Sequence, residues 1–163
     1  MAEFAIRPAR PEDVRAMAQL MAAVAEERDK IGTEPPVDVE ERAATFAGTI
    51  TQTVVAEAGG RIVGMIHVEV SRFGYGVLGM LVDAEWRGRG VGSALVRASI
   101  DLARERGLHK LCLDVWPTNA AALALYRKFG FVEEGLLVKQ YRRASGELWD
   151  ALSMGLVLDW EQA

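Results

Sequence analysis

The stretch Val82-Asp83-Ala84-Glu85-Trp86-Arg87-Gly88-Arg89-Gly90-Val91-Gly92-Ser93-Ala94-Leu95 decides how this chain is read. An apolar, strand-like run over residues 76–82 leads into it. A helical pattern to Arg106, closed by Gly107, leads out. Gly88, Gly90 and Gly92 let the backbone come close to a ligand, and the helix that follows begins with unpaired N–H groups under its positive dipole end. Arg87 and Arg89 add fixed charge. The segment reads as an anion site for a phosphate or pyrophosphate.

Several phosphate binders share that chemistry. A Walker loop needs Gly-x-x-x-x-Gly-Lys-Ser/Thr, and the chain contains no Gly-Lys pair. The dinucleotide fingerprint comes nearer at Gly88 and Gly90, but Ser93 stands where its third glycine belongs. That fingerprint also sits in the first crossover of a parallel sheet, whereas this loop follows three strands joined by tight turns. A glycine-rich loop that merely turns the chain is the structural alternative for the segment taken alone.

On either side of the loop the pattern is α/β. Residues 4–7 read as a strand, and Pro11 opens a helix at its favoured first position, with apolar spacing to about residue 30. Residues 31–38 form a loop, and a helix capped by Asp38 runs from 39 to near 50. Residues 53–58, the Gly59-Gly60 turn and residues 61–70 predict a hairpin. In its second strand Ile62, Ile66, Val68 and Val70 share one face, and Met65, His67 and Glu69 the other. After the glycine loop and its helix come a strand at 111–115, a helix at 119–129 ended by Gly130, and strands at 131–138 and 147–157. The order β-α-α-β-β-β-α-β-α-β-β predicts a mixed, mostly antiparallel sheet flanked by helices. At 163 residues, with no repeat or long linker, the prior is one domain over 1–163.

Composition narrows the function. The chain is 50% hydrophobic and 26% charged, and 19 Lys+Arg against 23 Asp+Glu leave a net charge of −4. A general nucleic-acid binder would carry an excess of basic charge. Charges at Glu3 and Arg7 break any signal-peptide run, and no apolar stretch is long enough for a membrane span, so a cytoplasmic protein is expected. Cys112 is the only cysteine, which rules out an internal disulfide and a Cys₂His₂ zinc cage. No metal is expected.

Residues 87–92 match the signature R/Q-x-x-G-x-G/A, and the chain resembles the GNAT superfamily of N-acetyltransferases. Downstream, Leu113-Asp114-Val115, Asn119, Ala122, Leu125-Tyr126 and Gly130-Phe131 resemble that family's second motif. The likeness is clear from about residue 53 to 157. It implies that acetyl-CoA is the cosubstrate. The amides of Arg87, Gly88, Arg89, Gly90, Val91, Gly92 and Ser93 would hold its pyrophosphate, and the backbone of Met80, Leu81 and Val82 would lie along it. It implies further that Asn119 bonds the pantetheine arm and that Tyr126 lies near the sulfur. Seven helical steps of ~100° would put Asn119 and Tyr126 on one face, ~10.5 Å apart along the axis. Taken alone, Asn119 is equally an N-cap and Tyr126 equally a packing aromatic.

Acetyl transfer to an amine needs a base for the amine and a proton for the leaving thiolate. Tyr126 is the candidate acid. Histone-type members carry a glutamate on the strand before the loop, but residues 76–80 here hold no carboxylate. Asp114 stands where members resembling ribosomal-protein N-acetyltransferases have the glutamate of Leu-Glu-Val, and it is the first candidate base, reaching through a water. Glu69 and His67 come second, with an exposed sheet face as the plainer reading of both. Cys112 reads as a small core residue, His109 as surface, and the Tyr141-Arg142-Arg143 patch as a solvated hairpin turn or part of the acceptor mouth. Residues 31–36 are a candidate acceptor gate. The expected acceptor is a small amine such as an amino acid or analogue, with a protein N-terminus as the alternative. Neither nucleic acid nor membrane is an expected partner, and a homodimer is compatible with the family. A non-catalytic acyl-CoA sensor and a nucleotide-binding module are the rival classes.

Overall fold

The computed structural model describes residues 3–158. Strand β1 (Ala5–Pro8) leads through a 3-10 turn into α1 (Val14–Ala25) and α2 (Val39–Gly48). Then come β2 (Thr53–Ala58), β3 (Arg61–Val70), β4 (Tyr75–Val82), α3 (Val91–Glu105), β5 (Lys110–Val115), α4 (Ala120–Lys128), β6 (Val132–Arg142) and β7 (Leu148–Val157). The predicted order is the observed one. The sheet has seven strands in the order β1-β2-β3-β4-β5-β7-β6, with β4 and β5 parallel and the other described pairs antiparallel. The chain comprises two compact units, one of residues up to Val68 with Gly79–Ser99, the other of Glu69–Leu78 with residues from Ile100 onward.

In the first unit, Met17, Leu20 and Val24 of α1 and Phe46 of α2 pack with Val55, Met65 and Leu81 of the strands. Helix α1 is shorter than expected, ending at Ala25, and Glu27 and Arg28 continue it only as turns back to Val24 and Ala25. Asp38 caps α2 as its sequence requires, its Oδ1 accepting the Glu41 amide at 3.0 Å.

The face assignment in β3 needs correction. Register jumps from Ala56–Gly64 to Glu57–Ile62, so Val63 is an extra residue in a β-bulge. A bulge shifts the alternation by one. Ile62 therefore joins Met65 on the face packed with α1 and α2, rather than sharing a face with Ile66. Gly64 turns the other way, where an added Cβ would lie 3.0 Å from side chains of Val91 and Leu95 in α3. A side chain here would make those α3 side chains give way by a few tenths of an ångström. Met65, on the same side as His67 and Glu69, is 3% exposed, because it packs with α1 and α2.

In the second unit β5 pairs with β7 along its whole length, and β6 forms the edge beyond β7. Helix α4 stops at Gly130, whose φ of +94° suits glycine. Strand β6 runs to Arg142, four residues past its expected end, by means of a wide irregularity. Residues 138–140 face Asp150 alone, and Lys139, at φ +52°, donates its amide to Asp150 Oδ1 at 2.7 Å.

Candidate active site

The loop after β4 is shaped by its own sequence. Asp83 accepts the Glu85 amide at 2.9 Å and starts a 3-10 turn over Ala84–Trp86. Gly88 and Gly90 follow at φ +74° and +87°, with nothing within 4 Å of the place a Cβ would take. Backbone conformation, not crowding, calls for glycine at both. Gly92 lies inside α3. The first intrahelical bond runs from the Ala94 amide to the Gly90 carbonyl at 3.0 Å, so the amides of residues 91–93 precede the ladder at the positive end of a 15-residue helix. Such an end suits an anion.

The two arginines differ. Arg87 makes a two-pronged ion pair with Glu27, each contact 2.6 Å, and its Nε donates to the Val82 carbonyl at 3.1 Å. That pairing raises the guanidinium and holds the Glu27 carboxyl below its ordinary value. Arg89 is exposed, its guanidinium 4.9 Å from the centre of the Trp86 ring. The fixed charge expected from Arg87 is thus already compensated. Leu81 is buried, with Met80 and Val82 half-buried beside it. Among the described residues, the β4–β5 ladder runs from Tyr75–Lys110 to Val77–Cys112, which leaves Met80, Leu81 and Val82 beyond its end.

Within the second unit, Tyr126 lies on α4, 7% exposed, its ring 5.6 Å from that of Phe131. Burial pushes its phenol up to about 12. It therefore stays protonated at neutral pH and is a weaker acid than a free phenol. Asn119 is the N-cap of α4, its Oδ1 accepting the Ala122 amide at 3.3 Å. Its backbone is not helical, so the regular helical progression to Tyr126 starts at Ala120 and not at Asn119. Asp114 stands exposed on β5 opposite Ser153, and its Oδ2 accepts from Tyr141 Oη at 2.8 Å. Burial first, and then this carboxylate, push Tyr141 up to about 12.

Of the second-choice bases, Glu69 is exposed as expected, while His67 is half-buried with Nδ1 3.1 Å from Thr53 Oγ1. His109 is exposed. Cys112 is half-buried rather than core, because Leu111 and Leu113 take the buried face of β5. Burial raises its thiol, so it is a poor nucleophile.

The Tyr141-Arg142-Arg143 patch requires the largest revision. A tight turn does follow it, with Gly146 donating to the Arg143 carbonyl at 2.9 Å. Yet Arg143 is only 5% exposed. Its guanidinium lies 4.4 Å from the Trp149 ring centre and 5.2 Å from that of Trp116. Trp116 meets the rings of both Tyr141 and Trp149 edge-on at 5.2 Å. A weakly hydrated guanidinium recovers from the indole faces part of what it loses in water. The sequence signal was the pair of tryptophans at two strand ends, which no local pattern joins. Among the described residues, no cluster of His, Cys, Asp or Glu is arranged to hold a metal, and no helix is long and apolar enough to cross a membrane.

Comparison with known proteins bears on this geometry. Residues 17–131 match the Acetyltransferase (GNAT) family. The chain is 32% identical over 164 residues to the L-amino acid N-acetyltransferase AaaT of Escherichia coli, covering 96% of this chain and 99% of that one. It is also 32% identical over 138 residues to the L-methionine sulfoximine/L-methionine sulfone acetyltransferase of Pseudomonas paraeruginosa, covering 79% and 80% of the two chains. Among solved structures, the ribosomal-protein-alanine N-acetyltransferase from Brucella melitensis superposes with a TM-score of 0.86 at 30% identity, over 94% of this chain and 99% of that one.

Proposed function

The chain belongs to the GNAT acetyltransferase family, and from that premise we propose that it moves the acetyl group of acetyl-CoA onto the α-amine of a free amino acid or a close analogue. The full-length likeness to an L-amino acid N-acetyltransferase carries this choice of acceptor. The left-handed glycines and the leading amides of α3 support pyrophosphate binding by Gly88, Arg89, Gly90, Val91, Gly92 and Ser93. Met80, Leu81 and Val82 would offer backbone to the acyl arm, and Asn119 its amide nitrogen, since its oxygen caps α4.

In the reaction we propose, the neutral amine attacks the thioester carbonyl, a C–N bond forms, and the C–S bond breaks. Tyr126 gives its proton to the leaving thiolate. Its phenol is protonated at neutral pH, as this role needs, and burial makes the donation steeper than from a free tyrosine. Asp114 takes the proton lost by the amine, through a water, while Tyr141 holds one carboxylate oxygen in place. An α-amine titrates near ~8 and is partly neutral at pH 7, whereas a lysine amine near ~10.4 is not. A water-mediated carboxylate therefore suits the α-amine better.

The test is release of CoA thiol from acetyl-CoA across a panel of L-amino acids, their sulfoximine and sulfone analogues, and short peptides. Amino acids or analogues should turn over and peptides should not. Turnover with peptides alone would favour a protein N-terminus, the reading that likeness to the ribosomal-protein enzyme supports. Binding of acetyl-CoA without release by any amine would leave a sensor domain.

A further inference from the structure

Glu27 lies two residues past the end of α1, sixty positions before the arginine it grips. The helix has ended at Ala25 by then. Glu27 sits in a closing turn, its amide on the Val24 carbonyl at 3.1 Å, and the next residue, Arg28, adopts φ +65°. A non-glycine residue in that region carries strain, and strain of this kind persists where surrounding contacts over-determine it. The turn aims the Glu27 carboxylate at Arg87, and both oxygens are used, each 2.6 Å from a guanidinium nitrogen. The third edge of the same guanidinium returns to the Val82 carbonyl, where β4 ends. Arg87 immediately precedes Gly88 at φ +74°. Its side chain thus fastens the entry of the glycine turn to the end of its own strand and to α1, all within the first unit.

We propose that Glu27 is a positioning residue for the cosubstrate. It commits Arg87 to bracing the loop, so that the loop amides, and not the Arg87 guanidinium, meet the diphosphate. This rests on the reading of the loop as the acetyl-CoA pyrophosphate site. The alternative, in which Arg87 grips phosphate and Glu27 merely competes for it, predicts the opposite sign. Removing Glu27 would then free a cation and tighten binding.

Two measurements on the full chain separate these. The first is hydrogen exchange at the amides of residues 87–93 without ligand, in the wild type and in Glu27→Ala and Glu27→Gln. A brace requires faster exchange there in Glu27→Ala, with Glu27→Gln between, since the amide keeps one acceptor but not the charge. Unchanged exchange overturns it. The second compares acetyl-CoA with acetylpantetheine, which lacks the diphosphate. For Glu27→Ala the KM for acetyl-CoA should rise about tenfold, the scale of one lost charge-assisted contact, with kcat within about twofold and acetylpantetheine unaffected. The double variant Glu27→Ala/Arg87→Ala should be no worse than Arg87→Ala alone, since Glu27 acts only through Arg87. A KM that stays level or falls in Glu27→Ala, or equal losses with both acetyl donors, would overturn the proposal. Should the wild type bind no CoA, the pyrophosphate reading fails, while the exchange measurement still decides the brace.

Discussion

Residues 87–90 present exposed backbone held in shape by glycines, whereas Arg143 and Trp116 keep their side chains from water. In the loop, φ of +74° and +87° are conformations that adjacent sequence dictates, and any chain with glycine at 88 and 90 can adopt them at little cost. The cluster of Trp116, Tyr141, Arg143 and Trp149 exists only because β5, β6 and β7 bring together residues from three strand ends. Tyr126 belongs with the second kind, since its raised phenol comes from burial. The proposed roles would divide along this line. Holding an anion needs many similar N–H groups and tolerates varied side chains. Proton transfer needs one group in one environment.

That division can be broken experimentally. The largest effect should follow Tyr126→Phe, which deletes a single hydroxyl and leaves the ring. Turnover should fall ~10²–10⁴-fold with the KM for acetyl-CoA little changed. Steady-state kinetics at saturating acceptor checks this, and undiminished kcat would remove Tyr126 from the chemistry. Next comes Gly90→Val. A β-branched residue at φ +87° costs about 1–2 kcal/mol, so the KM for acetyl-CoA should rise roughly 5–30-fold while kcat at saturation holds. A variant with unchanged affinity for CoA would place the anion site elsewhere.

The smallest effect is on stability in alkali. The Tyr126 phenol is pushed up to about 12 in the folded chain, against ~10 when unfolded. The folded state thus keeps its proton where the unfolded state has lost it. The contribution is intact below pH ~10 and drains away as pH rises from there through about 12. The urea midpoint should fall in that window more steeply for the wild type than for Tyr126→Phe. Parallel curves would mean that the hydroxyl is not desolvated.

Much of the fold was legible because its signals are local. β2 and β3 begin and end where alternation and the Gly59-Gly60 turn place them, and Asp38 caps α2 as its position before Val39 demands. Misreadings arose where one extra residue or a distant partner intervened. Val63 gives no sign in the sequence of being a bulge, yet it reverses which side of β3 Ile62 faces. Two basic residues in a row at 142 and 143 look solvated, and only the packing of Trp116 and Trp149 reveals that Arg143 is not.

Element order, the glycine turn and family membership were readable along the chain, because they depend on neighbours a few residues apart. Tertiary structure alone decided which charges are spent and which groups are dry. Arg87 is paired with a glutamate from the turn after α1, Asp114 is held by a tyrosine from another strand, and Tyr126 is raised by burial. Electrostatic state depends on distance through space and on exclusion of water, and neither is written along the chain.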